Sequence, residues 1–257
     1  MNRRQQDWLI LENVAMSAWP AFQKVEYDGW ILRFADGFTK RSNSINPMEA
    51  SSLPLEEKID HCERMYRSRG LPPIFRITPF TPPRALDGML ASRGYEVLDP
   101  TRVMTASASS IEETRKTHAE IIKLPMDEWL DHVDAMSAPD SRMAEIRRRL
   151  LRAVAHDYCC LIAQRSGHSL GYVLGIESND FLGVFMLSVM LEYRRKGLGS
   201  ALTGRLLEWG QSRGVNTIYL QVEAANVAAR ALYASCGFVD GYCYWYRVAG
   251  NGSATLS

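Results

Sequence analysis

An apolar run from Phe181 to Met190 hands over, through a short loop, to a helix-forming segment from Ser200 to Arg213. The loop carries three cations, Arg194, Arg195 and Lys196, and two glycines, Gly197 and Gly199. A glycine has no Cβ, so backbone N–H groups beside it can approach a ligand closely. The start of a helix adds unpaired N–H donors and the positive end of the peptide dipole. A strand that ends in such a loop and continues as a helix suits a doubly charged diphosphate. Neither Gly-x-x-x-x-Gly-Lys-Ser/Thr nor Gly-x-Gly-x-x-Gly is present, so the loop is neither a Walker loop nor a dinucleotide fingerprint.

The loop does match Arg/Gln-x-x-Gly-x-Gly/Ala, as Arg194-x-x-Gly197-x-Gly199. On these residues the sequence resembles the GNAT superfamily of acyl-CoA-dependent N-acyltransferases. A second stretch, Asn226 to Phe238, looks like that family's other signature, Asn-x-x-Ala-x-x-Leu-Tyr followed by Gly-Phe. Asn226 is a good helix N-cap with an amide to offer, Ala229 and Leu232 share a helix face, and Gly237 can take the left-handed turn that ends the helix. Alone, the loop could be a solvated basic turn and Tyr233 a core aromatic.

The resemblance implies acetyl-CoA as co-substrate. Backbone groups of Leu187, Ser188 and Val189 would bond the pantetheine arm as an added strand does. Arg194, Arg195, Lys196, Gly197, Leu198, Gly199 and Ser200 would hold the diphosphate. Asn226, Ala229 and Tyr233 would line the same cleft, with Tyr233 as the acid for the departing thiolate. A backbone N–H near Val189 could polarise the thioester carbonyl. The base is open, since Gly183 to Val189 contains no carboxylate. Glu223 reads either as that base or as an ordinary charge at a strand end. Glu192, beside the phosphate loop, is expected to point outward.

With 257 residues, 46% hydrophobic and 23% charged, the chain can bury a core as one large or two ordinary domains. A net charge of +1 gives no platform for nucleic acid. No apolar run is long enough for a membrane span, and the polar start lacks a signal-peptide core. Five cysteines without a Cys-x-x-Cys pair suit reduced thiols in a cytoplasm, and no His/Cys spacing suggests a metal.

The first half reads as a helix over residues 4–18, then strands at Phe22 to Tyr27, Trp30 to Ala35 and Phe38 to Asn46 around Asp28-Gly29 and Asp36-Gly37 turns. The third is unusually polar, either an edge strand or a wall facing a substrate. A helix over 55–69, a strand at Pro73 to Thr78, a helix at Arg84 to Ser92 and two short strands, Tyr95 to Leu98 and Arg102 to Thr105, complete it. The second half reads β-α-α-β-β-β-α-β-α-β. Its second helix starts at Ser141 as N-cap, with an arginine run, Arg147 to Arg149 and Arg152, that is either a solvated face or a grip on an acidic acceptor. Ser68-Arg69-Gly70 recurs as Ser212-Arg213-Gly214, and Leu90 to Tyr95 resembles Tyr233 to Phe238 in nearly the same register. The basic loop then maps onto Ala50 to Leu55, which has neither glycine nor cation, and Tyr233 maps onto Leu90.

These readings give an α/β (α+β) fold: a mixed, mainly antiparallel sheet flanked by helices, in two halves of GNAT type. Residues 1–110 form a degenerate first half, 111–250 the catalytic half and 251–257 a tail. Arg33, Asn43 and Asn46 of the first half are expected to help define an acceptor pocket, the alternative being a half that only buries an edge. The function is acetyl transfer from acetyl-CoA to a primary amine, a small-molecule amine in preference to a protein. The alternative is an acyl-CoA-binding regulator without turnover. A homodimer is compatible with all of this.

Overall fold

Gly70 and Gly214 end their helices in the same way. Both are left-handed, with φ +68° and +77°. Leu71 N–H donates to the Tyr66 carbonyl at 3.1 Å, and Val215 N–H to that of Gly210 at 3.1 Å. This bond closes a Schellman stop. Gly94 and Gly237 repeat the parallel, with φ +81° and +86° and N–H bonds to Ala91 and Ala234 at 3.0 and 3.1 Å. The computed structural model, which describes residues 3–110 and 117–250, therefore carries the sequence repeat into backbone geometry.

The chain divides into two units, Met1–Thr101 with Tyr242–Ser257, and Arg102–Gly241. The first contains α1 (Arg3–Ala18), β1 (Gln23–Tyr27), β2 (Trp30–Phe34), β3 (Ile45–Pro47), α2 (Leu55–Arg67), β4 (Ile74–Ile77) and α3 (Leu86–Ser92). A long strand, β5 (Tyr95–Ser107), contributes to both units. The second contains β6 (Glu120–Leu124), α4 (Met126–Ser137), α5 (Ser141–Arg152), β7 (Tyr158–Arg165), β8 (His168–Ser178), β9 (Phe181–Val189), α6 (Leu198–Ser212), β10 (Thr217–Glu223) and α7 (Val227–Ser235). The last strand, β11 (Val239–Ala249), again contributes to both.

The expected boundary at residue 110 differs from this division, which falls at Thr101 and places residues from Tyr242 onward with the first unit. Asp99-Pro100 reads locally as a turn, yet β5 runs through it with Asp99 in a left-handed kink at φ +47°. The expected tail, 251–257, lies outside the described residues.

In the first unit β1, β2 and β3 are antiparallel neighbours, β3 meets β4 in parallel at Ile45 and Phe75, and β4 pairs antiparallel with β11. Its core joins Trp30, Leu32, Phe75 and Ile77 of the sheet to Ile59, Cys62 and Tyr66 of α2 and Leu86 and Leu90 of α3. In the second unit β6, β7, β8 and β9 are antiparallel in order, and β10 lies parallel to β9. There Leu202, Leu206 and Leu207 of α6 and Tyr233 of α7 pack on Leu161, Val173, Leu182 and Ile218. Asp140, not Ser141, caps α5, its Oδ1 accepting from Met143 N–H at 2.9 Å. Three arginines of α5 pair with α4: Arg147 and Arg148 with Asp134, and Arg152 with Asp127.

The polar stretch before β3 is not a strand. Residues Lys40–Ser42 form one 3-10 turn, and only Ile45–Pro47 is extended. Asn43 makes this possible. It is 1% exposed, and its Oδ1 accepts from Ala35 N–H at 2.8 Å and Gly37 N–H at 3.0 Å while Nδ2 donates to the Thr39 carbonyl at 2.8 Å. Asn46 Nδ2 donates to the Ser44 and Ile31 carbonyls at 2.8 and 3.2 Å. Arg33 donates to the carbonyls of Arg41, Met16 and Trp19. Burial, and then the neighbouring Arg76, lowers its pKa to about 10. Arg33, Asn43 and Asn46, expected to face an acceptor, are buried and bond backbone groups of their own unit, while Arg33 Nε and Asn46 Oδ1 have no hydrogen-bond partner among the described residues.

Asn43→Ala leaves two inward N–H groups without acceptors. At about 1–3 kcal/mol for each such group, a loss of roughly 3 kcal/mol in urea unfolding is expected, and a change within experimental error would show that the turn holds without it.

None of the five cysteines is in a disulfide. Burial pushes Cys159 up to about 11 and Cys160 and Cys62 up to about 12. At about pH 8 a thiolate-selective disulfide reagent should therefore label Cys236 and Cys243 first. The other three should appear only on unfolding, and fast labelling of all five in the native protein would contradict the burial.

Candidate active site

The pairing of β9 with β10 stops at Val184 and Leu220. Beyond it, β9 keeps its bonds to β8 only through a bulge: Leu174 faces Phe185 but Tyr172 faces Ser188. Met186 takes the extra residue in a left-handed conformation, φ +53°. A bulge bends its strand and re-aims the side chains beyond it. Leu187, Ser188 and Val189 are thus half-buried residues on a strand whose β10-side edge no longer has a strand partner. Gly171 of β8 permits this bend, since a Cβ there would stand 2.8 Å from the Ser188 carbonyl oxygen.

After β9 the chain makes a single 3-10 turn, Leu191–Tyr193. Arg195 and Gly197 are both left-handed, φ +59° and +83°. Gly197 occupies the N-cap of α6 without a side chain to cap it, and the first helical bond is Ala201 N–H to the Gly197 carbonyl at 2.9 Å. The N–H groups of Leu198, Gly199 and Ser200 precede it and have no helical acceptor. Around them the charges are unneutralised. Arg194 Nε donates to the Val189 carbonyl at 3.0 Å, Lys196 Nζ lies 5.2 Å from the Tyr193 ring centre, and Arg195 is exposed without an ion pair among the described residues. Glu192 is exposed as expected and pairs with none of them. Arg205 and Arg213 of the same unit, by contrast, meet Glu208, Asp157 and Glu177. Three cations and a row of free amides at the start of a 15-residue helix make an anion socket.

The two glycines of the loop do different jobs. A Cβ on Gly197 would meet nothing within 4 Å, so its role is conformational. A Cβ on Gly199 would lie 2.5 Å from Leu232 Cδ1, so this glycine lets α6 and α7 approach each other. The sequence reading, which gave both glycines to the ligand, missed Leu232 and Gly171. A glycine inside a strand was the available signal for the latter.

On α7, Asn226 Oδ1 accepts from Ala229 N–H at 3.0 Å, so the cap uses the amide oxygen and leaves the NH2. Ala229 is half-buried against the core. Tyr233 is 8% exposed, and its ring meets Phe238 edge-on at 5.9 Å. Glu223 ends β10 with its side chain exposed, and its carbonyl accepts from Asn226 N–H at 3.0 Å in the turn to α7. Among the described residues, no helix is long and apolar enough to cross a membrane.

Residues 8–247 match the family described as "Probable histone acetyltransferase Rv0428c C-terminal". The chain is 28% identical over 244 residues to the uncharacterized N-acetyltransferase YobR of Bacillus subtilis (strain 168), covering 93% of this chain and 97% of the relative. In structure it is similar to a GCN5-related N-acetyltransferase from Kribbella flavida, with TM-score 0.73, 10% identity and 95% and 96% of the two chains covered. It is also similar to a tandem GNAT protein from the clavulanic acid biosynthesis pathway, with TM-score 0.59, 15% identity and 77% and 70% covered.

Proposed function

The chain belongs to the Rv0428c acetyltransferase C-terminal family of GNAT-type N-acetyltransferases, and from that premise we propose that it transfers the acetyl group of acetyl-CoA to a primary amine by direct attack in a ternary complex. The observation that carries this reading is the socket at the start of α6, where free amides and unpaired cations stand together at the end of β9. Arg195, Lys196 and the N–H groups of Leu198 to Ser200 would hold the diphosphate. The unpartnered edge of Leu187 to Val189 would hold the pantetheine arm, with the Asn226 amide and the half-buried Ala229 on the α7 side. Arg194 already bonds the Val189 carbonyl, and so braces the loop against the strand.

The thioester supplies an activated acetyl group, and the residues supply proton control. An amine attacks only when neutral, so its proton must leave to a base or a water chain. Glu223, exposed at the end of β10, is the carboxylate we assign to that path. A thiolate departs more readily when protonated, since its parent thiol has a pKa of about 8.5–9. Tyr233 is assigned that proton. A cytoplasmic location accords with five cysteines that form no disulfide.

The acceptor is proposed to be a small-molecule amine. The family's description, which names a histone acetyltransferase, favours a protein amine as the second reading. The lack of a carboxylate on β9 favours a third, binding without turnover. Thiol release from acetyl-CoA with a panel of small amines and lysine peptides separates the three. Release with small amines supports the first reading, release with peptides alone the second, and tight CoA binding without release the third.

A further inference from the structure

The first unit has its own copy of the strand-to-helix junction, and there a carboxylate already occupies the loop that leads into the helix. Ser52 N–H donates to both oxygens of the Asp28 carboxylate at 3.1 and 3.0 Å, Leu53 N–H to Oδ2 at 3.0 Å, and Ser52 Oγ to Oδ1 at 2.7 Å. Lys58, whose side chain is fully buried, brings its ammonium to 3.2 Å from Oδ2 and 4.1 Å from the Trp30 ring centre. The Leu53 and Ser52 bonds hold the Asp28 carboxyl well below the usual carboxylate range. These groups stand at the start of α2, the helix that the repeat register aligns with α6. Asp28 comes from the β1–β2 turn, where Asp28 and Gly29 are left-handed at φ +45° and +79°. The β7–β8 turn of the second unit has the same pair of conformations at Ser166 and Gly167, φ +50° and +76°, but no acid.

The remainder of that junction is open. Past the single meeting of β3 and β4, a cavity of about 460 Å³ is lined by Leu9, Met48, Phe80 and Pro83, with the Gln5 amide among them. Phe80 is held in place by Trp8 and Tyr242, ring centres 6.3 and 5.3 Å away. The charged residues of the lining, Glu49 and Arg84, are exposed and of opposite sign. Cavities of about 300–1,000 Å³ hold drug-sized molecules.

We infer that this cavity is a second ligand site, for an uncharged and mainly apolar small molecule, and that Asp28 bars diphosphate carriers from it. The inference stands on the first unit alone and survives even if the second unit holds no acetyl-CoA. The first test titrates the full chain with N-phenyl-1-naphthylamine, an uncharged dye that brightens in apolar sites, with and without saturating CoA. A saturable signal is expected that CoA leaves unchanged and that Leu9→Trp or Met48→Trp weakens at least tenfold. No saturable signal, displacement by CoA, or indifference to both substitutions overturns the site. The second test counts inorganic pyrophosphate bound per chain by equilibrium dialysis. Asp28→Ser, which installs the residue of the β7–β8 turn, should gain one pyrophosphate over the parent protein. An unchanged count shows that Asp28 is no barrier.

Discussion

Gly199→Val is expected to lower kcat/KM for acetyl-CoA by about 100-fold, the loss that a misplacement near 1 Å can cause. The residue sits in the first turn of α6, buried, where even a methyl carbon would lie 2.5 Å from Leu232 Cδ1 and 4.0 Å from Val189 Cγ2. Three parts of the site therefore meet at one missing Cβ: the free amides of α6, the helix that carries Tyr233, and the last residue of β9. A branched side chain must drive α7 away or turn Leu232, and either movement shifts these parts against one another. Overpacking of this kind costs about 1–3 kcal/mol of stability, which moves the melting temperature of a chain this size by several degrees and leaves it folded. Gly197→Ala is the matched control. Its Cβ has open space, so its cost is the left-handed conformation alone, about 1 kcal/mol, and a loss of only a few-fold is expected. Equal losses in the two variants would mean that both glycines serve the loop conformation and that the α6–α7 contact is incidental.

That contrast also shows where sequence reasoning stops. Gly237 could be placed in advance, because the left-handed turn that ends a helix leaves its mark on the residue type at that point. Gly199 answers to Leu232, a residue on another helix, and no local pattern announces such a partner. The same holds for Gly171 and the Met186 bulge, which exist because β8 and β9 must bend together. In the first unit the polar residues before β3 misled for a related reason. Arg33, Asn43 and Asn46 have the chemistry of a binding wall, yet most of their donors and acceptors bond backbone carbonyls and amides of their own unit. Two short strands around Asp99-Pro100 are one strand, because long-range pairing decides its course and local turn chemistry does not. The Asp28 carboxylate was hidden behind its own good local explanation, since Asp-Gly is a hairpin turn before it is anything else.

Tyr233→Phe should lower kcat by about 100-fold or more, within the range for loss of a positioned acid, while KM for acetyl-CoA changes little. The substitution removes one oxygen from a ring that is 8% exposed and packed edge-on against Phe238 at 5.9 Å, so the fold and the α7 surface should persist. A loss confined to kcat means that the interaction exists in the transition state and not in the bound ground state. The test that separates proton delivery from mere positioning is the leaving group. A thiol with a lower pKa departs without help, so an acetyl donor bearing an aryl thiol should recover most of the lost rate in Tyr233→Phe. If the phenol only holds α7 or the donor in place, the deficit will be the same for both donors. Glu223→Gln should lower kcat in turn if that carboxylate accepts the amine proton, and an unchanged kcat means that the proton leaves by water instead.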